Sequence, residues 1–144
     1  MSGFHDTFQR MKQNGDFSGL QDAVPYAKFL GVSIAVEDGR VVTSMAFDQK
    51  LIGNTALPAL HGGTLAALLE LAAIFQIAHE IETEAMPKTI TVTIDYMRSG
   101  APRDTHARAW ATRIGRRVAN VRAEAWQDDP KKPIAAAHIN FLLS

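Results

Sequence analysis

Cysteine is absent from all 144 residues of the chain. Disulfide frameworks and thiolate metal sites are therefore excluded. No charge sign is in excess: 15 Lys and Arg balance 15 Asp and Glu. That balance argues against broad electrostatic binding to nucleic acid. The five histidines are scattered, with no H-x-x-x-H pair or other metal-ligand spacing. There is no Walker motif and no G-x-G-x-x-G, so no tightly held nucleotide is expected. The opening stretch, "MSGFHDTFQRMKQNGDF", lacks the continuous apolar segment of an export signal. The longest apolar run, 64–78, is shorter than the roughly 20 residues a membrane helix needs and has a glutamate in its middle. These absences predict a soluble cytoplasmic protein with no metal, no cofactor, no nucleic-acid partner and no membrane partner.

What is present reads as one domain with a substantial core. Phe4, Phe8 and Met11 lie at i, i+4 and i+7, the spacing of a short amphipathic helix. Residues 19–30, "GLQDAVPYAKFL", suggest a second short helix with Pro25 in an early turn. "GVSIAVEDGRVVTSMAF" reads as two strands around an Asp38-Gly39 hairpin turn. A punctuated loop leads into a long apolar helix, from about Gly63 to Glu82. Four strands follow, joined by short turns that favour antiparallel neighbours. In the first, Ile90, Val92, Ile94 and Tyr96 alternate with Thr89, Thr91, Thr93 and Asp95, which predicts one buried face. The expected inward positions of the later strands carry Ala107, Ala109, Ala111, Ala119, Ala123, Ala125, Ala135 and Ala137. Small side chains let a sheet curve closely round a helix, and a helix buried on all sides is apolar all round. Both signals predict one helix enclosed by one antiparallel sheet.

The helix sequence "HGGTLAALLELAAIF" contains a conflict. From Thr64 to Ala78, Glu70 is the only charged residue. Its neighbours at i±3 and i±4 are Ala66, Ala67, Ala73 and Ile74, none of which can pair with it. A buried carboxylate needs a partner elsewhere or a reason to stay. Eight residues earlier, His61-Gly62-Gly63 opens the helix, where the first N–H groups have no internal acceptors and sit at the positive end of the macrodipole. Glycine lets a ligand approach such an amide, which suits a developing oxyanion. Gly62 and Glu70 are about 12 Å apart along one helix, far more than the roughly 1.2 Å of a carbonyl bond. One chain cannot bring both to one carbonyl. Two antiparallel copies of the helix can, which predicts a homodimer with two equivalent sites.

These residues resemble a known family. "HGGTLAALLELAA" is similar to the motif of hotdog-fold acyl-CoA thioesterases of the phenylacetate-pathway (PaaI-like) type. That motif is a His-Gly-Gly with an acidic residue nine positions after the His. Most members carry Asp there; Glu, as here, is familiar in the related Arthrobacter-type 4-hydroxybenzoyl-CoA thioesterases. "TIDYMRSGAP" and "RIGRRVANVRAEAWQDDPKKPIAAAHINFLL" extend the likeness over roughly residues 20–143. The resemblance implies an α+β hotdog fold, an antiparallel sheet of about six strands around one central helix. An N-terminal helical extension, 1–18, would precede the hotdog domain at 19–144. The site would lie at the dimer interface, with a dimer of dimers left open. Glu70 would be nucleophile or general base, and the Gly62 N–H of the other subunit would polarise the thioester carbonyl. Asn54 would help place the attacking water or the substrate, and Thr89 would assist the acid or the water. His61 and Gly63 would border the substrate. Arg98, Arg116 and Arg117 would meet the phosphates of coenzyme A, whose charge suits the guanidinium fork, with Arg103 a weaker candidate. CoA would enter as part of the substrate, not as a cofactor. The acyl group would lie against Ala66, Ala73, Ile77 and loop 51–60.

Two other readings stay open on sequence. One is a hotdog dehydratase or hydratase of 3-hydroxyacyl or enoyl thioesters, for which His61 is the only nearby histidine. The other is a non-catalytic acyl-CoA binding protein, against which the lone carboxylate counts.

Overall fold

The hairpin at Asp38-Gly39 forms as its sequence predicts. Both residues take positive φ, 54° and 75°, as a two-residue turn matched to strand twist requires. It joins β1 (Val32–Glu37) to β2 (Arg40–Met45) in a computed structural model that describes residues 3–82 and 85–143. The amphipathic helix α1 (Gly3–Asn14) precedes them. The helix expected over 19–30 is instead two, α2 (Leu20–Ala23) and α3 (Pro25–Leu30). The break follows from Pro25: the residue before a proline is driven out of the helical region, and Val24 is extended. Pro25 then starts α3 at a position where its missing N–H costs nothing.

After β2 the chain makes a 3-10 turn and a small two-stranded sheet, β3 (Ile52–Asn54) and β4 (Ala59–Leu60). The long helix α4 (Gly62–Glu80) comes next. The remaining strands are β5 (Lys88–Tyr96), β6 (Thr105–Ile114), β7 (Val118–Trp126) and β8 (Ala135–Leu142). Six strands form one antiparallel sheet in the order β1-β2-β6-β7-β8-β5. The sheet curves round α4, which is the hotdog fold.

The register shows why α4 fits. Ala107, Ala125 and Ala135 pair in one row across β6, β7 and β8; Ala109, Ala123 and Ala137 form the next. All six are fully buried. They make a shallow floor on which Leu65, Leu68, Leu69, Ala72 and Phe75 of α4 pack. Ala111, predicted inward, is only half-buried, because a bulge interrupts β6 just after it. At the far end Phe8 of α1 stacks on Phe75, with centroids 5.8 Å apart and planes 10° from parallel. Phe8 is fully buried, worth roughly 1.5–3 kcal/mol. By length and apolarity alone α4 could cross a membrane. Half of it is buried in this core.

Two expectations about enclosure need correction. The helix is not buried on all sides: Ala66, Ala67, Glu70, Leu71 and Ile74 form a half-exposed stripe along α4. That spacing is one helix face, the one turned away from the alanine floor. And β5 has no buried face. Ile90 is 53 % exposed, Val92 39 % and Tyr96 54 %. The reason is position: β5 is the last strand of the sheet, and α4 packs mainly over β6, β2 and β7.

Candidate active site

The N-terminus of α4 is built by two aromatic rings. His61, extended at φ −65° and ψ 130°, is the N-cap, and its Nδ1 accepts the Gly63 N–H at 2.8 Å. In this hydrogen bond Nδ1 is the acceptor, which leaves Nε2 as the ring nitrogen that can donate. A side chain at residue 63 would put Cβ 2.9 Å from that same Nδ1, so the cap itself requires glycine there. A Cβ on Gly62 would meet the Tyr96 ring, 3.2 Å from Cζ, and the Tyr96 hydroxyl donates to the Gly62 carbonyl at 2.9 Å. The sequence argument left the space over both glycines to a ligand. The structure fills it with protein rings.

The amides divide accordingly. Gly63 N–H goes to His61 Nδ1 and Thr64 N–H to the His61 carbonyl at 3.0 Å. Among the described residues nothing accepts from the Gly62 N–H. One unpaired donor at the positive helix end is what an oxyanion site needs. It opens beside a cavity of about 350 Å3 whose walls include Leu60, Leu65, Tyr96, Met97 and Arg98.

Glu70 lies in the middle of the open stripe and is half-buried. No hydrogen bond or ion pair among the described residues reaches it. Its oxygens are not among the sealed, unpartnered atoms of the core. The carboxylate is therefore neither locked in a core pair nor cut off from solvent. The cavity at Gly62 does not include it, as the separation of roughly 12 Å along the helix demands.

Thr89 gains from an irregularity that the sequence pattern hides. Thr89 pairs with Phe141 and Thr91 with Asn140, so Ile90 is an extra residue in a bulge. Directly paired residues share a face, and Phe141 is fully buried. Thr89 therefore points to the helix side of the sheet with Val92 and Ile94, not away with Thr91 and Thr93. Asn54 ends β3, where its Oδ1 accepts from the amides of Ala56 and Leu57 at 3.0 and 3.3 Å and shapes the loop. Of the acyl-pocket residues expected on α4, Ala73 and Ile77 are fully buried in the core. They face the sheet, since the open side of α4 runs through Ala66, Glu70 and Ile74.

The arginines separate into two groups. Arg98 borders the Gly62 cavity. Arg116 and Arg117 sit in the β6–β7 turn, lining an open groove of about 510 Å3 with Arg113. Arg113 completes this cationic cluster and was not singled out from sequence; its signal was the hairpin spacing in "RIGRR". Arg117 and Arg98 lie at opposite ends of the sheet. Val118 pairs with Leu142 and Leu142 with Lys88, whereas Arg98 follows Tyr96. The length of β5 puts roughly 26 Å between those ends. Arg103 is held by Asp128, whose two carboxylate oxygens both accept from its Nη1 at 2.8 Å. Among the described residues no cluster of His, Asp and Glu is placed to hold a metal ion.

The profile of the thioesterase superfamily matches residues 57–134, more than half of the chain and the part that holds α4, β5, β6 and β7. The chain belongs to the thioesterase superfamily. A protein of Chromobacterium violaceum with a known crystal structure is 35 % identical, with 96 % of this chain and 97 % of that one aligned and a TM-score of 0.80. A phenylacetic acid degradation-related protein of Ralstonia eutropha shares 24 % identity over 94 % of this chain and 98 % of its own, with a TM-score of 0.78. A Bacillus halodurans protein crystallised with CoA shares the fold at 17 % identity, over 96 % and 92 % of the two chains, with a TM-score of 0.78. No curated protein matches significantly. Superfamily membership supports action on thioesters.

Proposed function

We propose that the protein is an acyl-CoA thioesterase that cleaves an acyl- or aryl-CoA to free acid and CoA in a site shared by two copies of the chain. Glu70 is the base or nucleophile. The Gly62 N–H of the other copy holds the carbonyl oxygen. As base, Glu70 takes a proton from water while the water oxygen bonds to the carbonyl carbon; the C–S bond then breaks and the sulfur leaves to be protonated. As nucleophile, Glu70 bonds to the carbonyl carbon, the C–S bond breaks and the CoA thiolate leaves to be protonated, and water then hydrolyses the acyl anhydride. In both courses the negative charge on oxygen grows toward the Gly62 amide.

One observation carries this reading: the free donor and the free carboxylate occupy the same helix about two turns apart, the donor's residue lining an open cavity and the carboxylate on the half-exposed stripe. A second copy docked along β5 brings them together. That strand is an edge with unpaired backbone groups and exposed Ile90, Val92 and Tyr96. Antiparallel docking also carries Arg116 and Arg117 of one copy toward the Gly62 and Arg98 end of the other, one basic surface for CoA phosphates. Thr89, on the helix side of β5, steadies the water or the acid. The hydratase alternative loses support from His61, whose Nδ1 is spent on the helix cap.

Subunit mixing tests the shared site. Glu70→Gln removes the base. Gly62→Pro removes the N–H at a helix position that tolerates proline after the extended His61, and its added Cβ, 3.2 Å from the Tyr96 Cζ, also makes that ring shift by a few tenths of an ångström. Each variant alone loses about a hundredfold or more in turnover. Co-expressed, they recover about a quarter of wild-type activity, because half the dimers are mixed and each mixed dimer has one intact site. Equal inactivity of the mixture and the single variants sinks the shared site.

A further inference from the structure

Tyr96 is used by neither the reaction scheme nor the core. It ends the edge strand, is 54 % exposed, and still makes a specific contact with the α4 N-terminus 34 residues earlier in the chain. Its hydroxyl donates to the Gly62 carbonyl at 2.9 Å, and its ring lies flush over the Gly62 Cα, where Cζ, Cε1 and Oη would all fall within 3.3 Å of any added Cβ. The Gly62 carbonyl and the Gly62 N–H lie in adjacent peptide planes that share the Gly62 Cα, so a hydroxyl on the carbonyl together with a ring over that Cα restrains the rotation that links them. First turns of helices fray because their amides lack partners. Here the next amide, Gly63, is tied by His61, and the His61 carbonyl, in the peptide plane of the Gly62 N–H, accepts from Thr64; among the described residues Tyr96 is the one group outside the helix and its cap that holds Gly62.

We infer that Tyr96 is a positioning residue for the oxyanion-binding amide, pinning Gly62 so that its N–H is aimed before the substrate arrives. This deepens the thioesterase reading and rests on it for its kinetic part. A donor fixed in advance pays no reorganisation as charge develops, so it acts on the transition state more than on the bound substrate. Tyr96 also forms a wall of the adjoining cavity. A residue that only walled the substrate would affect binding, not turnover. The two roles are thus separable.

Tyr96→Phe keeps the ring and removes the hydroxyl. The expected result is a kcat reduced roughly three- to tenfold, the equivalent of one ordinary hydrogen bond, with KM within about twofold of wild type. Hydrogen exchange of the first-turn amides of α4 is measured in the same two proteins without substrate and should quicken by a similar factor in Tyr96→Phe, with an unchanged denaturant midpoint. An unaltered kcat, a rise in KM alone, or unaltered exchange overturns the inference. Should the wild-type protein hydrolyse no acyl-CoA while Glu70→Gln behaves identically, the thioesterase reading fails instead. Exchange alone then decides whether Tyr96 pins Gly62: faster exchange upholds the pinning and equal exchange rejects it.

Discussion

Strands β5 and β7 are both nine residues long and both alternate in sequence, yet they have opposite fates. In β7 the inward positions Ala119, Val121, Ala123 and Ala125 are all buried. In β5 the corresponding row of Val92, Ile94 and Tyr96 is left open or half-open, although its side chains are larger. Apolarity alone does not bury a residue. Alanines admit the helix to within packing distance, so β7 is covered by α4. The bulky residues of β5 project past the helix edge and wait for another surface. One strand belongs to the fold and the other to the assembly in which, by our proposal, the site is completed.

The largest expected effect tests what that assembly is for. Glu70→Gln should lower turnover by about a hundred- to ten-thousandfold with the fold intact, measured on a panel of acyl-CoA esters. An equal rate in the variant removes Glu70 from the chemistry. Next, Val92→Arg on β5 should leave chain stability within about 0.5 kcal/mol, since the site is exposed, but should yield single chains in sedimentation and remove activity with the dimer. A monomeric variant that keeps full turnover would break the proposed division between the strands. The matching change in β7, Ala123→Leu, should do the reverse. It overpacks the floor beneath α4 and costs about 1–3 kcal/mol in urea unfolding. Thr89→Val, which removes only a hydroxyl on the helix side of the bulge, should lower kcat about three- to tenfold.

The smallest effect concerns the far end of α4. Burial, and then the nearby Lys12 ammonium, hold His79 below the ordinary histidine value of 6.5, with Glu80 partly opposing. The neutral ring is thus favoured in the folded chain. As pH falls below 6.5 the unfolded chain takes up the proton first, so stability should decline with acidity and stay level above that value. His79→Gln should flatten this slope when urea midpoints at about pH 7.5 and 5.5 are compared. An identical slope in both proteins would show that other groups set it.

Much of the fold was legible because it rests on local period and composition. The Asp38-Gly39 hairpin, the apolar helix and the alanine-lined strands each carry their signal within a dozen residues. The split of α2 from α3 was marked by Pro25 and was missed through treating that proline as an early turn of one helix rather than the start of a second. The bulge at Ile90 left no mark in the sequence, since a β-branched residue fits a regular strand equally well. It alone decides which way Thr89 points. The glycine pair was noticed for a sound reason, access to helix amides, but its tightest constraints are the His61 and Tyr96 rings. The second of these comes from a strand 34 residues away, which no spacing rule reaches.

By itself the sequence determined the elements, the alanine floor and the presence of one unmatched carboxylate in an apolar helix, because hydrophobic period and side-chain volume act between near neighbours. Only the tertiary structure decided which amide stays free, which face of the helix stays open and which strand ends the sheet. Those depend on contacts between distant segments, where a single hydrogen bond or one extra residue in a strand settles the direction of a side chain.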